Sequence, residues 1–527
     1  MLAAKGQVQK TPASQEHAKL EEHIRKLNQI GIALSSEQDL NKLLETIVQE
    51  ARSFTHADGG SLYIIEKGRL NFTVAQTQSL AERDGKKEPF KSFYLPLTKE
   101  SIAGYVAITG ELLNLQDVYT IPPTVEFRIN KKFDVQNDYR SKSMLVVPMK
   151  DHGGNIIGVL QLINSLDENG QVVSFKREYE GLVLSLSSQA AVAIRNVTLI
   201  AEIKNLFKSL VRYSAKAIDA RSPQTAGHSG RVAKYSVRLA KAVNLVSRGR
   251  LAKVSFTSNE IEELRMAGWL HDIGKIGVRE RVLEKDAKLT ENQMNCIRER
   301  FEAIKRSIQH HFLTRQIETL LVSQKRLGSM ERYDQQCREA AREVEEDLHF
   351  IESINIPGVL TEEAQKRIKR IAEKSYKNFA GQNCFYLTPE EYEHLSVVKG
   401  NLTASEYKEI QEHVLHTLSI LEKIPFTQDL ANIPRHAAAH HEYLNGSGYP
   451  LGLQGDEISI QARILCIADI FDALSAPDRP YKKAMSIAET VKVLRAEVHA
   501  GKLDHDLVEL FIRKRLYSRH GLEDDDE

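Results

Sequence analysis

Apolar side chains recur every three or four positions at the start of the chain: Leu20, Ile24, Leu27, Ile30 and Leu34, then Leu40, Leu43, Leu44 and Ile47. That period predicts a helix over 17–34 and a second from about Glu37 to Thr55, with Ser36 as its cap. The pattern then shortens into strand-like runs. Ser61-Leu62-Tyr63-Ile64-Ile65 and Leu70-Asn71-Phe72-Thr73-Val74 flank Gly68, and Met144–Met149 precedes Gly153-Gly154-Asn155 and Ile156–Ile163. Both sets read as strands joined by turns. Helices flanking an antiparallel sheet make an α+β domain.

From about Lys176 the helical period returns and runs on through Leu182, Leu186, Gln189, Ala193, Asn196, Leu199 or Ile200, Ile203, Phe207 and Leu210, with no proline before Pro223. One long helix, or two in series, would reach about 60 Å at 1.5 Å per residue. Its stripe either pairs with a second copy, making a homodimer through a signalling helix, or packs within one chain; the length favours the dimer. Residues 205–289 and 400–515 are helix-rich. Three helix starts carry capping boxes: Thr290 with Gln293, Thr388 with Glu391 behind Pro389, and Thr403 with Glu406. The charged stretch between these halves, as in Arg332 to Asp347, reads as an inserted helical subdomain over 291–400.

A chain of 527 residues is too long for one core. The expected order is a polar and helical lead-in (1–24), an α+β domain (25–197), the long helix (176–222), an all-α domain (205–515) interrupted by the insertion, and an acidic tail (516–527). A formal charge of +1 gives no global pull toward DNA or an anionic membrane. Cys296, Cys337, Cys384 and Cys466 lack C-x-x-C spacing and suit a reducing compartment. The polar start lacks a leader's apolar core, and no run of about 18 apolar residues occurs, so a cytoplasmic protein with no membrane span is expected.

The first domain resembles a GAF domain, a small-ligand or interaction module of signalling proteins. The resemblance rests on Ser101-Ile102-Ala103-Gly104-Tyr105-Val106, on the hairpin ending Gly158-Val159-Leu160-Gln161-Leu162-Ile163-Asn164, and on Ser188–Ile194. Cyclic-nucleotide-binding members carry Asn-Lys, Phe and Asp-Glu; this chain has Asn164-Ser165, Phe175 and Tyr179-Glu180. The lysine and aspartate are missing, and the domain's ligand stays unassigned.

Two fragments carry chemistry. His271-Asp272-Ile273-Gly274-Lys275 places an imidazole, a carboxylate and a cation together, and His440-His441-Glu442 leads into Gly446-Ser447-Gly448-Tyr449-Pro450. Imidazole with carboxylate suits Fe, Mn or Zn. Neighbouring side chains on a helix point about 100° apart, so both could serve one site only off the helix end, or serve two metals; a carboxylate can bridge two ions. A glycine loop lets a ligand approach the backbone closely. Asp469-Ile470-Phe471-Asp472 adds two carboxylates.

These motifs resemble the HD-GYP phosphodiesterases, a subgroup of the HD-domain metallohydrolases, over 205–289 and 400–515. The resemblance implies a helical domain binding two or three metals, commonly iron or manganese, and hydrolysing cyclic dinucleotides. It implies metal ligands at His228, His271, Asp272, His413, His440, His441 and Asp469, with Asp272 bridging. Lys275 would face the phosphate. Gly448, Tyr449 and Pro450 would shape the site, and Asp472, Arg479 and Lys482 would lie near the substrate, with Asp472 a proton carrier. The family's histidine ten residues after its Leu-Thr helix start falls on His413 counted from Thr403, on Arg300 from Thr290 and on Val398 from Thr388. His310-His311 is a decoy on the insertion. Gln224 stands where three-metal members have Glu, so two metals are expected. Pro477 lengthens the loop before Arg479. Trp269 reads as core, and His416 and His436 as either supporting or bland.

The expected activity is hydrolysis of cyclic di-GMP to pGpG or GMP by metal-activated hydroxide, under GAF control. Its alternatives are 3',3'-cyclic GMP-AMP as substrate, or a receptor that binds without cutting. An HD enzyme acting on mononucleotides would lack the Gly-Tyr-Pro loop.

Overall fold

The computed structural model describes residues 12–84, 92–221, 227–322, 327–378, 380–476 and 484–518. Arg479, Lys482, Gln224 and Pro477, and most of the acidic tail, lie outside them. The chain divides into two units, Met1–Leu206 and Phe207–Glu527.

The first unit opens with α1 (Pro12–Ser36) and α2 (Leu40–Thr55). The α2 cap is Asp39 rather than Ser36. The Asp39 carboxylate accepts the Lys42 amide at 3.0 Å, while Ser36 Oγ donates back to Ala33 O at 2.9 Å. A hydroxyl near a helix end can cap forward or bond backward, and a carboxylate only accepts, which favours Asp39 at the start. Then come β1 (Ala57–Glu66), β2 (Arg69–Thr77), α3 (Gln78–Asp84), β3 (Phe93–Pro96), α4 (Ile102–Thr109), β4 (Leu113–Leu115), α5 (Lys132–Asn137), β5 (Met144–Lys150), β6 (Ile156–Leu166) and β7 (Val172–Val173). The antiparallel sheet has the order β3-β2-β1-β6-β5-β4, with β7 on β6. Both of its faces are covered, which is why β5 and β6 read as unbroken apolar runs. Leu62, Leu145 and Leu160 pack under Leu43 and Ile47 of α2, and Tyr63, Val146 and Val159 pack with Ile102 and Val106 of α4.

Helix α6 runs from Arg177 to Arg221, 45 residues in one piece. Among the described helices it alone is long and apolar enough to cross a membrane. Its first half is committed elsewhere: Val183, Leu186, Ala190 and Ile194 are buried in the core against the sheet. Farther along, Ile203, Leu206, Leu210 and Tyr213 are exposed.

The second unit is mostly helical: α7 (His228–Val243), α8 (Ser258–Leu270), α9 (Glu280–Leu283), α10 (Glu291–Val322), α11 (Leu327–Ile354), α12 (Glu362–Glu373), α13 (Pro389–Leu395), α14 (Ala404–Gln411), α15 (His413–Leu421), α16 (Ile433–Ala438), α17 (Ile460–Ser475), α18 (Ile487–His499) and α19 (His505–Arg513). Val232 and Leu239 of α7, Leu264 of α8, Leu465 and Phe471 of α17, and Phe511 of α19 share one core. Trp269 packs at its margin, against Gly230. Residues 291–400 hold a separate core of Ile297, Phe301, Val344, Ile351 and Ile368, edged by Leu289. All three capping boxes form, with Thr290 amide to Gln293 Oε1 at 2.9 Å, Thr388 amide to Glu391 Oε2 at 2.8 Å and Thr403 amide to Glu406 Oε2 at 2.9 Å.

Candidate metal centre

Five helix ends converge on one place. His228 is the first residue of α7, His271 closes α8, Asp272 opens the 3-10 turn Ile273–Gly277, His413 begins α15, and His440-His441 follow α16. Asp469 and Asp472 lie one turn apart on α17. A helix end lets adjacent side chains turn into one site, which a helix interior forbids.

The imidazoles are aimed by their backs. His271 Nδ1 lies 2.8 Å from Gly268 O, His413 Nδ1 2.5 Å from Ile410 O, and His440 Nδ1 2.6 Å from Ala437 O, each carbonyl three residues upstream. A carbonyl only accepts, so each Nδ1 carries the proton and each Nε2 is left as a lone-pair donor. All three Nε2 atoms are buried without a hydrogen-bond partner. Three orphaned imidazole nitrogens in one place are costly unless they share a cation.

The carboxylates tie these nitrogens together. Asp272 turns Oδ1 to His413 Nε2 at 3.3 Å and Oδ2 to His271 Nε2 at 3.3 Å and His228 Nε2 at 3.6 Å. Asp469 turns Oδ1 to His228 Nε2 at 3.1 Å and Oδ2 to His441 Nδ1 at 3.9 Å. Ligands about 2.1 Å from an ion lie roughly 3 Å from one another, so these spacings fit metal coordination. The donor atoms form two groups, His228/His271/Asp272 and His413/His440/His441, each within 4.8 Å. The described residues thus fit a divalent metal centre.

Charge follows the same plan. Burial, then the neighbouring imidazoles, pushes His440 well below the ordinary histidine range, and burial pushes His441 down to about 4 despite Asp469. Both are neutral donors. Burial would raise Asp272, but Lys275 and His271 hold it well below the usual carboxylate range. Burial also opposes a charged His228, yet Asp469 and Asp472 outweigh it and hold it up at about 9.

Asp472 sits behind His228, away from the cluster. Its Oδ2 is 2.8 Å from His228 Nδ1, and Arg231 grips it through Nε at 2.7 Å and Nη2 at 3.1 Å. This location suits orienting His228 better than carrying protons to a substrate. Lys275 is half-buried at the rim, with Nζ 2.5 Å from Asp272 Oδ2. Tyr449 packs on His441 with ring centres 4.8 Å apart and the planes tilted by 34°. Gly448 lies so close to Glu442 and Tyr443 that an added Cβ would stand 2.5 Å from Glu442 Cα.

Of the three counted positions only His413 joins the cluster; Arg300 is paired with Glu391 on α13, and Val398 is exposed. His310 and His311 are exposed on α10. His436 is occupied by Ser459 and Glu263, and His416 packs against Gly277. Two supporting residues, Arg231 and Thr417, escaped the sequence reading, and Glu442 was named there in its motif without a role. Arg231 holds Asp472. Thr417 Oγ1 donates to His271 O at 3.0 Å and accepts the Gly274 amide at 3.0 Å. Buried Glu442 accepts the Leu451 amide at 2.7 Å and the Leu453 amide at 3.0 Å, pinning the Gly-Tyr-Pro loop. Arg231 and Thr417 lie one helical turn after His228 and His413, the only signal available.

Residues 39–194 match the GAF domain family, and 225–345 and 382–507 each match an HD domain family. HD domains are metal-dependent hydrolases, in keeping with the donor set. The chain is 46% identical over 100 residues to 3'3'-cGAMP-specific phosphodiesterase 3 of Vibrio cholerae, covering 19% of this chain and 21% of that protein. It is 41% identical over 126 residues to 3'3'-cGAMP-specific phosphodiesterase 1 of the same organism, covering 24% and 28%. A probable cyclic di-GMP phosphodiesterase of that organism matches at 36% over 118 residues, covering 21% and 26%. The matched segments thus span between about a fifth and somewhat over a quarter of these relatives. An N-terminal GAF domain and a helical HD domain make up this chain, with relatives among the cyclic dinucleotide phosphodiesterases.

Proposed function

We propose that the helical unit is an HD-GYP phosphodiesterase that hydrolyses a cyclic dinucleotide, chiefly cyclic di-GMP, to pGpG or GMP. The observation that carries this reading is the set of buried, unpartnered Nε2 atoms on His271, His413 and His440, gathered beside the carboxylates of Asp272 and Asp469. Two divalent metals, iron or manganese, would supply a water of lowered pKa and cancel charge on the phosphate. His228, His271, Asp272, His413, His440, His441 and Asp469 would hold them. Lys275 would swing from Asp272 toward a non-bridging phosphate oxygen, where its charge matters most as negative charge builds. Asp472 and Arg231 would keep His228 in its ligating orientation. Gly448, Tyr449 and Pro450 would form the wall against which the substrate lies, and Arg479 and Lys482 would add cationic contacts.

A second reading, 3',3'-cyclic GMP-AMP as substrate, is favoured by the names of the relatives matching at 46% and 41%. Residues 291–400 would be an insertion within the HD domain. The exposed Ile203, Leu206, Leu210 and Tyr213 of α6, spaced three and four apart, would form the seam of a homodimer. The GAF domain would then regulate by favouring one state of that helix.

The experiment is hydrolysis of both cyclic dinucleotides by protein purified without oxygen, with metals counted and Asp272→Ala alongside. Turnover with about two metals per chain, lost in the variant, is expected. Metal-loaded protein that binds both dinucleotides and cuts neither would overturn the enzyme in favour of a receptor.

A further inference from the structure

A cavity of about 1800 Å³ lies at one end of the GAF sheet, and no residue of the histidine cluster lines it. It is bordered by α2, the end of β2, the turn after β6 and Tyr179 near the start of α6. Its wall mixes the amides of Gln49, Gln76 and Asn137 with the carboxylates of Glu45, Asp167 and Glu168. Arg52 of α2 lines it as well.

The Arg52 side chain is held in place but not satisfied. Its Cγ lies 2.8 Å from where a Cβ on Gly60 would stand, so the stem is packed flat against β1. Nη1 donates to Gln76 Oε1 at 3.3 Å, a long bond, and Nε is buried with no partner. Asp58 is the acid whose field reaches it, yet that carboxylate is taken by the Ser79 amide at 2.9 Å, Ser79 Oγ at 2.7 Å and the Tyr139 hydroxyl at 2.7 Å. Burial accordingly lowers the Arg52 pKa. A half-buried guanidinium with no carboxylate of its own gains when an oxyanion reaches its terminal Nη groups. Its planar fork matches the paired oxygens of a carboxylate or phosphate.

We propose that this groove is a binding site for a small polar metabolite whose oxyanion docks on Arg52 and whose body hydrogen-bonds to the wall amides. The site is independent of the reading given to the metal centre. Contact with Tyr179 places the ligand against the first turn of α6, the helix that leaves the domain.

The test uses the full chain with a chelator present, so that the metal centre offers no competing anion site. Inorganic phosphate and acetate are titrated at matched ionic strength while thermal unfolding is followed. Arg52→Met keeps the stem on Gly60 and removes the fork; Arg52→Lys keeps the charge without the fork. A saturable rise in melting temperature is expected for the wild type, at least half lost in Arg52→Lys and absent in Arg52→Met. Response to phosphate alone assigns a phosphate ester, and response to acetate as well assigns a carboxylate. Without anion, Arg52→Met should melt no lower than wild type. Equal shifts in wild type and Arg52→Met would reduce the effect to general salting and overturn the proposal. Failure of Arg52→Met to fold, or a marked drop in its melting temperature without anion, would make the guanidinium structural and overturn it too.

Discussion

Gly274 touches no metal-type donor atom, yet Gly274→Ala should dismantle the cluster. A Cβ there would lie 1.9 Å from His413 O, 2.4 Å from the Thr417 amide nitrogen and 2.7 Å from Thr417 Oγ1. Carbon and oxygen in contact sit about 3.4 Å apart, so the 3-10 turn and α15 would have to separate by about 1 Å or more. The two nearest are backbone atoms, and no rotamer change relieves them. The turn begins at Asp272 and α15 begins at His413, so the shift opens the 3.3 Å spacing between Asp272 Oδ1 and His413 Nε2. Overpacking costs about 1–3 kcal/mol, and losing the Gly274 amide bond to Thr417 Oγ1 adds about 1 kcal/mol. The HD unit should melt on the order of 5–10 °C lower even with chelator present. A misplacement of about 1 Å should lower metal affinity and turnover by about 10²-fold. Thermal melts in chelator read the first effect, and dialysis against buffered metal followed by elemental analysis reads the loss of affinity. Gly277→Ala is the control, because its Cβ would meet His416 Cδ2 at 2.7 Å, the end of an exposed side chain that can swing away. Wild-type metal content in Gly274→Ala, with a melting point within about 1 °C of wild type, would refute the reasoning.

Asp472→Asn keeps the shape but weakens the hold on His228 Nδ1 and on Arg231; metal affinity should fall about 10–100-fold with little change in fold, measured by competition with a chromophoric chelator. Lys288→Met should stabilise the protein at neutral pH. Lys288 is 1% exposed, among the described residues its Nζ reaches only Leu395 O, at 3.2 Å, and burial lowers its pKa. The unfolded chain therefore binds the proton more readily below about pH 10.5, so stability is lower there than in stronger alkali, and removing the charge should gain about 1 kcal/mol in denaturant melts at pH 7. Metal-stripped protein should lose stability as pH falls from about 6.5 toward 4. His440 and His441 are held below their unfolded value by burial, the unfolded state takes up protons first, and a urea midpoint that stays flat across that window would contradict the sign.

The local parts of the fold were open to reading because their causes are local. The 45-residue α6 follows from an apolar period with no proline, and the three capping boxes are closed between residues three apart. The cap of α2 went to Asp39 because Ser36 had a second local option, and sequence does not rank two such options. The seven candidate ligands followed from the resemblance to the HD-GYP family rather than from spacing, and their side chains lie together in the structure. Their roles were less accessible. Asp472 reads like Asp469 along the chain, yet one faces the cluster and the other faces the back of His228, 244 residues away. Arg231, Thr417 and Glu442 announce nothing by type.

Sequence alone determined the main helical and strand-like segments, the three capping boxes, and which imidazoles and carboxylates are available, since hydrogen bonding within one turn and apolar periodicity decide these. Tertiary structure decided which nitrogen of each histidine points inward, which aspartates face the cluster and which faces the back of His228, and which guanidinium is left without an acid. These depend on partners brought close only by packing distant segments into one core, where burial makes each unmet polar group costly enough to matter.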